Sequence, residues 1–371
     1  MLPNSARQSR SATKRSAAQF ESRRRFVKTV GTLALALGHP RILRAATDFP
    51  IADAHSHSGM FSSQLLSPSL KAQMEEAGVM LLSWNIVGDG RWTLNRDYSI
   101  RQRSVPARGA QASYVRERLN MMRSDLAAIG LDCAQNAADI DAARSGVPHV
   151  VIAVEGAGFV EDGLEMLGQY YGDGLRQLEL VHYIRNALGD PQTERPDHGG
   201  LTELGVEVIK SCNRLGILVD LAHSSNASID RALETSIVPM IWSHSGITAT
   251  QYSWWQTGDL SRLLNIDYAK KIARRGGAVG LWANSSTVGR DAEGYAKEIV
   301  HMVSKLGPEH VMFGTDMDGL QTHAALKRLP DLRKVADLLR EFGTDDNTVR
   351  AICFDNYARC LKSAMQARSA T

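Results

Sequence analysis

Phe49 to Gly59 reads FPIADAHSHSG. A short apolar run ends in two imidazoles, His55 and His57. In an extended chain residues i and i+2 point to one side. His-x-His at a strand end therefore aims both rings at one point, where a metal ion would find two ligands. The same spacing also occurs in solvated surface turns, and a short motif needs its context.

That context is a recurrence. Seven more runs follow: VMLLSWNI (79–86), HVVIAVEG (149–156), LRQLELVHY (175–183), ILVDLAH (217–223), VPMIWSH (238–244), GAVGLWAN (277–284) and HVMFGTD (310–316). Each has the length of a buried strand. Near-continuous apolar runs are what parallel strands covered on both faces look like. Between them, 113–137, 203–215, 226–235, 266–275, 292–306 and 331–342 carry apolar positions at helical spacing, such as Leu204, Val208, Ile209 and Leu215. Thr202 stands where the second of these would begin. Eight strands alternating with helices predict an α/β fold of the (β/α)8 TIM-barrel type. The longest insertion, roughly 88–112, follows strand 2 and is rich in Arg and Gly.

The strand ends carry the chemistry. Strand 1 ends in His55 and His57, strand 3 in Glu155, strand 4 in His182, strand 5 in His223, strand 6 in His244 and strand 8 in Asp316. All C-terminal ends of a barrel meet on one face, where active sites are built. Imidazole with carboxylate suits zinc ahead of iron, manganese or cobalt. One catalytic zinc uses three protein ligands, so this set predicts two metals. No lysine lies between Lys71 and Lys210. A carboxylated lysine from strands 2 to 4 is thereby excluded, and Glu155 is the bridging carboxylate available. Asp318 and His198 read as structural, and Trp254, Trp255 and Trp282 as packing or pocket lining.

Composition is that of an ordinary globular protein, 43% hydrophobic and 22% charged over 371 residues. Residues 1–46 hold ten of the 43 Lys and Arg but one of the 40 acidic residues, leaving 33 basic against 39 acidic beyond, a net of −6. Nothing in the main body argues for nucleic acid. The basic segment contains SRRRFVK (22–28), then the apolar TVGTLALALG (29–38), then Ala45 and Ala46. That apolar run is too short to span a bilayer. The order matches an export signal and resembles the twin-arginine signal of bacteria. We expect a signal peptide over 1–46, a single catalytic domain over 47–371, a periplasmic location and no transmembrane helix in the mature chain. The cysteines Cys133, Cys212, Cys353 and Cys360 form no C-x-x-C pair. They are expected as buried thiols.

Several longer stretches resemble the membrane (renal) dipeptidase family of zinc peptidases. They are DAHSHSG, AVEGAG, LVHYIRNALGD (180–190), GLTELGVEVIKSCNRLGILVDLAHSS (200–225), IWSHSG and FGTDMDG (313–319). The resemblance covers nearly all of 50–362. It implies a metal-dependent hydrolase barrel with two Zn2+, in which His55, His57 and Glu155 hold one ion and Glu155, His223 and His244 the other. It implies His182 over the substrate and Asp316 facing a metal-bridging hydroxide that cleaves the peptide bond of dipeptides, including those with a C-terminal D-residue.

Two departures stand out. The family has His-x-Asp at strand 1, where this chain has His-x-His. The family has Arg-Asn after strand 6, its arginine gripping the substrate carboxylate, where this chain has Leu264-Asn265. Arg262, two residues upstream, is the compensating candidate, because a guanidinium fork is hard to replace. Without it, an amide or lactone hydrolase acting, for example, on an N-acyl amino acid becomes the alternative. A non-catalytic metal- or peptide-binding barrel disagrees with the retained Glu155, His182 and Asp316. The expected partner is a small peptide or amide, and a homodimer is left open.

The export reading has a direct check. With Arg23 and Arg24 both replaced by lysine, the protein should accumulate in the cytoplasm. Undiminished periplasmic yield would reject the signal.

Overall fold

The computed structural model describes residues 49–58, 70–96, 99–255, 258–320 and 323–368. The predicted segment 1–46 lies outside them. Eight parallel strands follow one another around the sheet in chain order: β1 (Ile51–Ser56), β2 (Val79–Val87), β3 (His149–Glu155), β4 (Leu175–Glu179), β5 (Leu218–Asp220), β6 (Ile241–Ser245), β7 (Ala278–Leu281) and β8 (Val311–Phe313). The ring closes at the strand ends, where Asp316 N donates to His55 O (3.0 Å) and His57 N to Met317 O (2.8 Å). This is the expected (β/α)8 barrel. Every one of the eight apolar runs overlaps a barrel strand.

The helices follow from their local sequence. α1 (Ala110–Ile129) ends at Gly130 in the left-handed conformation. The expected stretch 113–137 overruns α1 into the following loop, and α2 (Ala137–Arg144) begins where that stretch ends. It starts at a full capping box, with Asn136 and Asp139 each satisfying the other's main-chain amide. α3 (Glu203–Leu215) begins where Thr202 Oγ1 accepts Gly205 N–H, as the sequence implied. α4 (Asn226–Thr235), α5 (Ile266–Arg274), α6 (Ala292–Leu306) and α7 (Pro330–Glu341), with the short helices Leu70–Ala77 and Glu165–Gly172, cover the remaining outer face. Among the described residues no helix is long and apolar enough to cross a membrane.

Two apolar layers result. One lies between sheet and helices, with Leu82, Trp84, Val154, Trp242 and Phe313 against Leu119, Ile209, Ile299 and Leu332. The other fills the end of the barrel opposite the histidines. There Ala52, Leu81, Val151, Leu218, Ile241 and Met312 pack on α8 (Asn356–Ala367) and the π-helical turn before it, through Phe354, Tyr357, Leu361 and Ala364. The site thus has a closed floor. The insertion after β2 is a hairpin pairing Thr93–Arg96 with Ser99–Gln102. Arg101 of the hairpin donates to Thr193 O and Trp254 O, tying it to two other loops of the mouth. All four cysteines are free. Three are buried, whereas Cys133 is only partly so, which corrects the expectation for that residue.

The wall is tightest between β6 and its neighbours. A Cβ added at Gly280 or at Gly314 would run into Ser243 O. Gly314→Ala should therefore lower unfolding stability by about 3 kcal/mol, the upper end of an overpacked core. Thermal denaturation reads it, and an unchanged Tm would mean the wall yields there.

Candidate metal centre

The strand ends deliver their side chains as the pleat dictates, with local exceptions. On β1, Asp53 pairs with Leu82 and Ser56 with Trp84, so three steps on β1 face two on β2. This extra residue breaks the simple alternation that the sequence reading assumed, and a bulge of this kind re-aims side chains. His182 and His223 also depart from expectation. β4 ends at Glu179 and β5 at Asp220, so each histidine sits three residues into the following loop. His223 gets back to the centre through a left-handed backbone, φ 65°.

Six predicted residues nonetheless converge around Glu155. The Nε2 atoms of His55 and His57 are 3.1 Å apart, as are those of His223 and His244. Glu155 Oε1 lies 3.2 Å from His223 Nε2, 3.3 Å from His182 Nε2 and 3.8 Å from His244 Nε2, and Oε2 lies 3.6 Å from His57 Nε2. Asp316 Oδ1 approaches His57 Nε2 at 3.4 Å and His55 Nε2 at 4.0 Å. All are buried. Glu155 stands between the two histidine pairs, as a bridging carboxylate must.

The far side of each ring decides what the near side offers. His57 Nδ1 faces Asn85 O at 3.0 Å, and a carbonyl can only accept. His55 Nδ1 faces Glu179 Oε1 (3.1 Å) and Ser243 Oγ (3.2 Å), and the same hydroxyl is 2.9 Å from His244 Nδ1. A proton on Nδ1 leaves Nε2 as a lone pair. Lone pairs from two rings then point at each other and at carboxylate oxygens. Acceptor facing acceptor in a dry cavity is what a cation resolves, and the donor set of neutral imidazole and carboxylate fits zinc-type ions.

Electrostatics favour the neutral, ligating form at three of the rings. Burial pushes His55, His223 and His244 well below the usual histidine pKa, and the adjacent rings of His244, His182 and His223 respectively push the same way. Neutral rings are the ligating form. Burial also works against the charged forms of His57 and His182. Here Asp316 and Glu155, and Asp89 and Glu155, overcome it and raise both. Glu155 and Asp316 are held below the usual carboxylate range against the effect of burial, by His182, His55 and His57 in the first case and by His57, His55 and Arg262 in the second.

Several polar residues of the site went unread in the sequence. Glu179, fully buried, braces His55, and burial with Asp220 nearby raises its pKa well above normal. Asp53 takes Thr315 Oγ1–H (2.6 Å) and Thr315 N–H (2.9 Å), and burial raises it to about 6. Asp220 accepts Ser243 N–H (3.0 Å) and is likewise raised by burial to about 6. Asp89 contacts His182. For Asp53, Glu179 and Asp220 the available signal was a carboxylate inside an apolar run.

Arg262 does reach the centre. Its guanidinium is 4.5 Å from the Trp282 ring, 5.5 Å from the Tyr183 ring, and 3.4 Å from Asp316 Oδ2. Leu264 is buried in the core and pairs with Ile247. Of the weaker candidates, His198 Nε2 faces Asn186 O and its amide donates to Asp190, away from the ligand set. Trp254 and Trp255 are exposed, while Trp282 is buried beneath Arg262.

Comparison with known proteins follows the same line. An uncharacterized dipeptidase of Schizosaccharomyces pombe is 28% identical over 325 residues, 81% of this chain and 74% of that protein. Dipeptidase verJ of Clonostachys rogersoniana is 29% identical over 233 residues, 59% of this chain and 56% of that protein. Among solved structures, dipeptidase AC, described as a metallo peptidase of family M19, superposes with a TM-score of 0.69 at 22% identity, covering 85% of this chain and 98% of that one. A metallo peptidase of Rhodobacter sphaeroides, liganded with a phosphinate mimic of L-Ala-D-Ala, gives 0.67 at 22% identity, covering 85% and 100%. These two structures share the fold. The family model for membrane dipeptidase matches residues 41–371. The chain belongs to the membrane dipeptidase family, Peptidase family M19, and is a metallo-dipeptidase of that family.

Proposed function

We propose that this metallo-dipeptidase is a binuclear zinc enzyme, exported by a twin-arginine signal in residues 1–46, that hydrolyses dipeptides with a free C-terminal carboxylate. The observation that carries the reading is the position of Glu155 between two imidazole pairs, in each of which the Nε2 atoms lie 3.1 Å apart. His55, His57 and Glu155 would hold one ion, and Glu155, His223 and His244 the other. Divalent ions held there lower the pKa of water and polarise a carbonyl.

The remaining work falls to this chain's own groups. Asp316 accepts the proton of the attacking water and hands it to the leaving amine. Its pKa, lowered by His57, His55 and Arg262 in spite of burial, keeps it in the accepting form at neutral pH. His182 Nε2 faces the same centre and stabilises the oxygen on which charge develops. Arg262, flanked by Tyr183 and Trp282, supplies the cation for the substrate carboxylate. Because the Rhodobacter protein carries an L-Ala-D-Ala mimic, L,D-dipeptides belong in the substrate set.

Two experiments test this. Purified enzyme should hold about two zinc equivalents per chain. Asp316→Asn should keep them while kcat falls by ~10²–10⁴. Loss of metal from that variant would instead make Asp316 a ligand, in keeping with its distance from His57. His244→Ala should lose metal and activity together.

The second compares a free dipeptide with its C-terminal amide in wild type and Arg262→Ala. Arg262 also touches Asp316, so the effect on the amide measures that contact alone. The extra loss on the free dipeptide should reach about 10–150-fold in kcat/KM, the worth of one charge-assisted bond of roughly 1.5–3 kcal/mol. Equal losses on both would remove the carboxylate clamp and favour the alternative amide or lactone hydrolase.

A further inference from the structure

Beyond β2 the chain crosses toward β3 through Gly88, whose N–H donates to Glu155 O at 2.8 Å. A Cβ at Gly88 would press on Gly156 O and Glu155 O. One at Gly156, where φ is +90°, would lie 3.2 Å from the His182 Cβ and 3.8 Å from the Asp89 Cγ. Two missing side chains therefore let three segments meet: the end of β2, the end of β3 and the loop after β4.

Asp89 enters this gap and is 1% exposed. Its Oδ1 accepts the Nδ1–H of His182 at 2.6 Å. Its Oδ2 accepts the main-chain N–H groups of Tyr183 and Ile184, both at 3.0 Å. The carboxylate is fixed by the two amides, so it cannot turn away from the ring. The opposite ring nitrogen lies 3.3 Å from Glu155 Oε1. The ring is tilted by 59° against Tyr183, with centroids 4.2 Å apart, and stands at 89° to His223 at 4.6 Å. A residue that served only to hold the loop would need the two amide contacts. The shortest contact goes to the imidazole.

We propose that Asp89 is a positioning residue for catalysis, whose carboxylate fixes the plane of the His182 ring so that Nε2 faces the reaction centre around Glu155. This rests on the proposed role of His182. None of the metal ligands depends on Asp89 for its Nδ1 partner, so removing the carboxylate should spare the metals.

Asp89→Asn is the probing variant. Its side-chain oxygen can still accept from the two amides, while its NH2 would replace the charge-assisted contact that locks the ring at Nδ1. Metal content should stay normal and KM change by less than ~3-fold, while kcat falls about 10²-fold or more, as for other imidazoles that lose their orienting carboxylate. A merely structural role would not give the second result. In a double-mutant cycle, Asp89→Asn should cost nothing further once His182→Ala is present.

Additive losses, or wild-type kcat in Asp89→Asn, would overturn the inference and leave the role of His182 standing. Wild-type kcat in His182→Ala would instead sink the role of His182 and the inference with it. Should Asp89→Asn not fold, proton NMR of the wild-type holoenzyme decides. A strongly deshielded imidazole N–H resonance that vanishes in His182→Ala supports the Asp89 contact, and its absence from wild type overturns it.

Discussion

The structure turns on one electrostatic constraint: too many acceptors share one dry cavity. Asn85 O, Glu179 and Ser243 face the outer nitrogens of His57, His55 and His244, which turns their inner nitrogens toward Glu155 and Asp316. In a low-dielectric interior, unpaired acceptors that face each other cost several kcal/mol. A cation relieves that cost only at points where the lone pairs already converge. The braces below are carboxylates with costs of their own. Asp53 and Asp220 are pushed up to about 6 by burial, and they are kept in place by hydrogen bonds from Thr315 and from the Ser243 amide. The centre is therefore organised in tiers, each of which settles the orientation of the one above.

Backbone strain is concentrated at the same place. Among the described residues, three without a glycine's freedom have positive φ: His223, Asp316 and Asp318. Such conformations cost on the order of 1–3 kcal/mol each. They persist because surrounding bonds over-determine them. Gln192 N–H holds His223 O at 2.7 Å, and Asp316 N–H holds His55 O at 3.0 Å. That second bond is also a closure of the barrel. The turn that aims the carboxylate of Asp316 at His57 is thus the same turn that joins the last strand to the first.

Legibility in the sequence followed the range of the interactions. The eight strands were readable because burial on both faces leaves a continuous apolar run, and α3 because Thr202 sits at its first turn. The histidines were readable because ligand types clustered at run ends. β4 and β5 proved shorter than their runs, since Leu180, Val181, Leu221 and Ala222 are apolar through burial in loops rather than through strand pairing. Asp89 was invisible for a different reason. It lies 93 positions from His182, and a contact that depends on two glycines 68 positions apart has no local signature. Glu179 and Asp220 looked like interruptions of apolar runs, although a charge inside a buried strand must be satisfied there and so marks a polar interior.

Metal-facing and substrate-facing residues differ in how firmly sequence position fixes them. A ligand on a strand end points inward by the pleat, and a shift of one residue would send it to the outer layer. Loops impose no such rule. Leu264 occupies the family's arginine position but is committed to the core by its pairing with Ile247, and Asn265 behind it caps α5 through Asp267 N–H. These two tasks fix the chain at 264–265 and leave the turn before it to present a side chain to the mouth. Arg262 can fill that position because a guanidinium on a long stem needs only a surface to lie on, and the buried Trp282 ring provides one at 4.5 Å. A loop can therefore offer a cation from a neighbouring position without leaving the site, whereas the proposed ligands on β1, β3 and β6 cannot move by one.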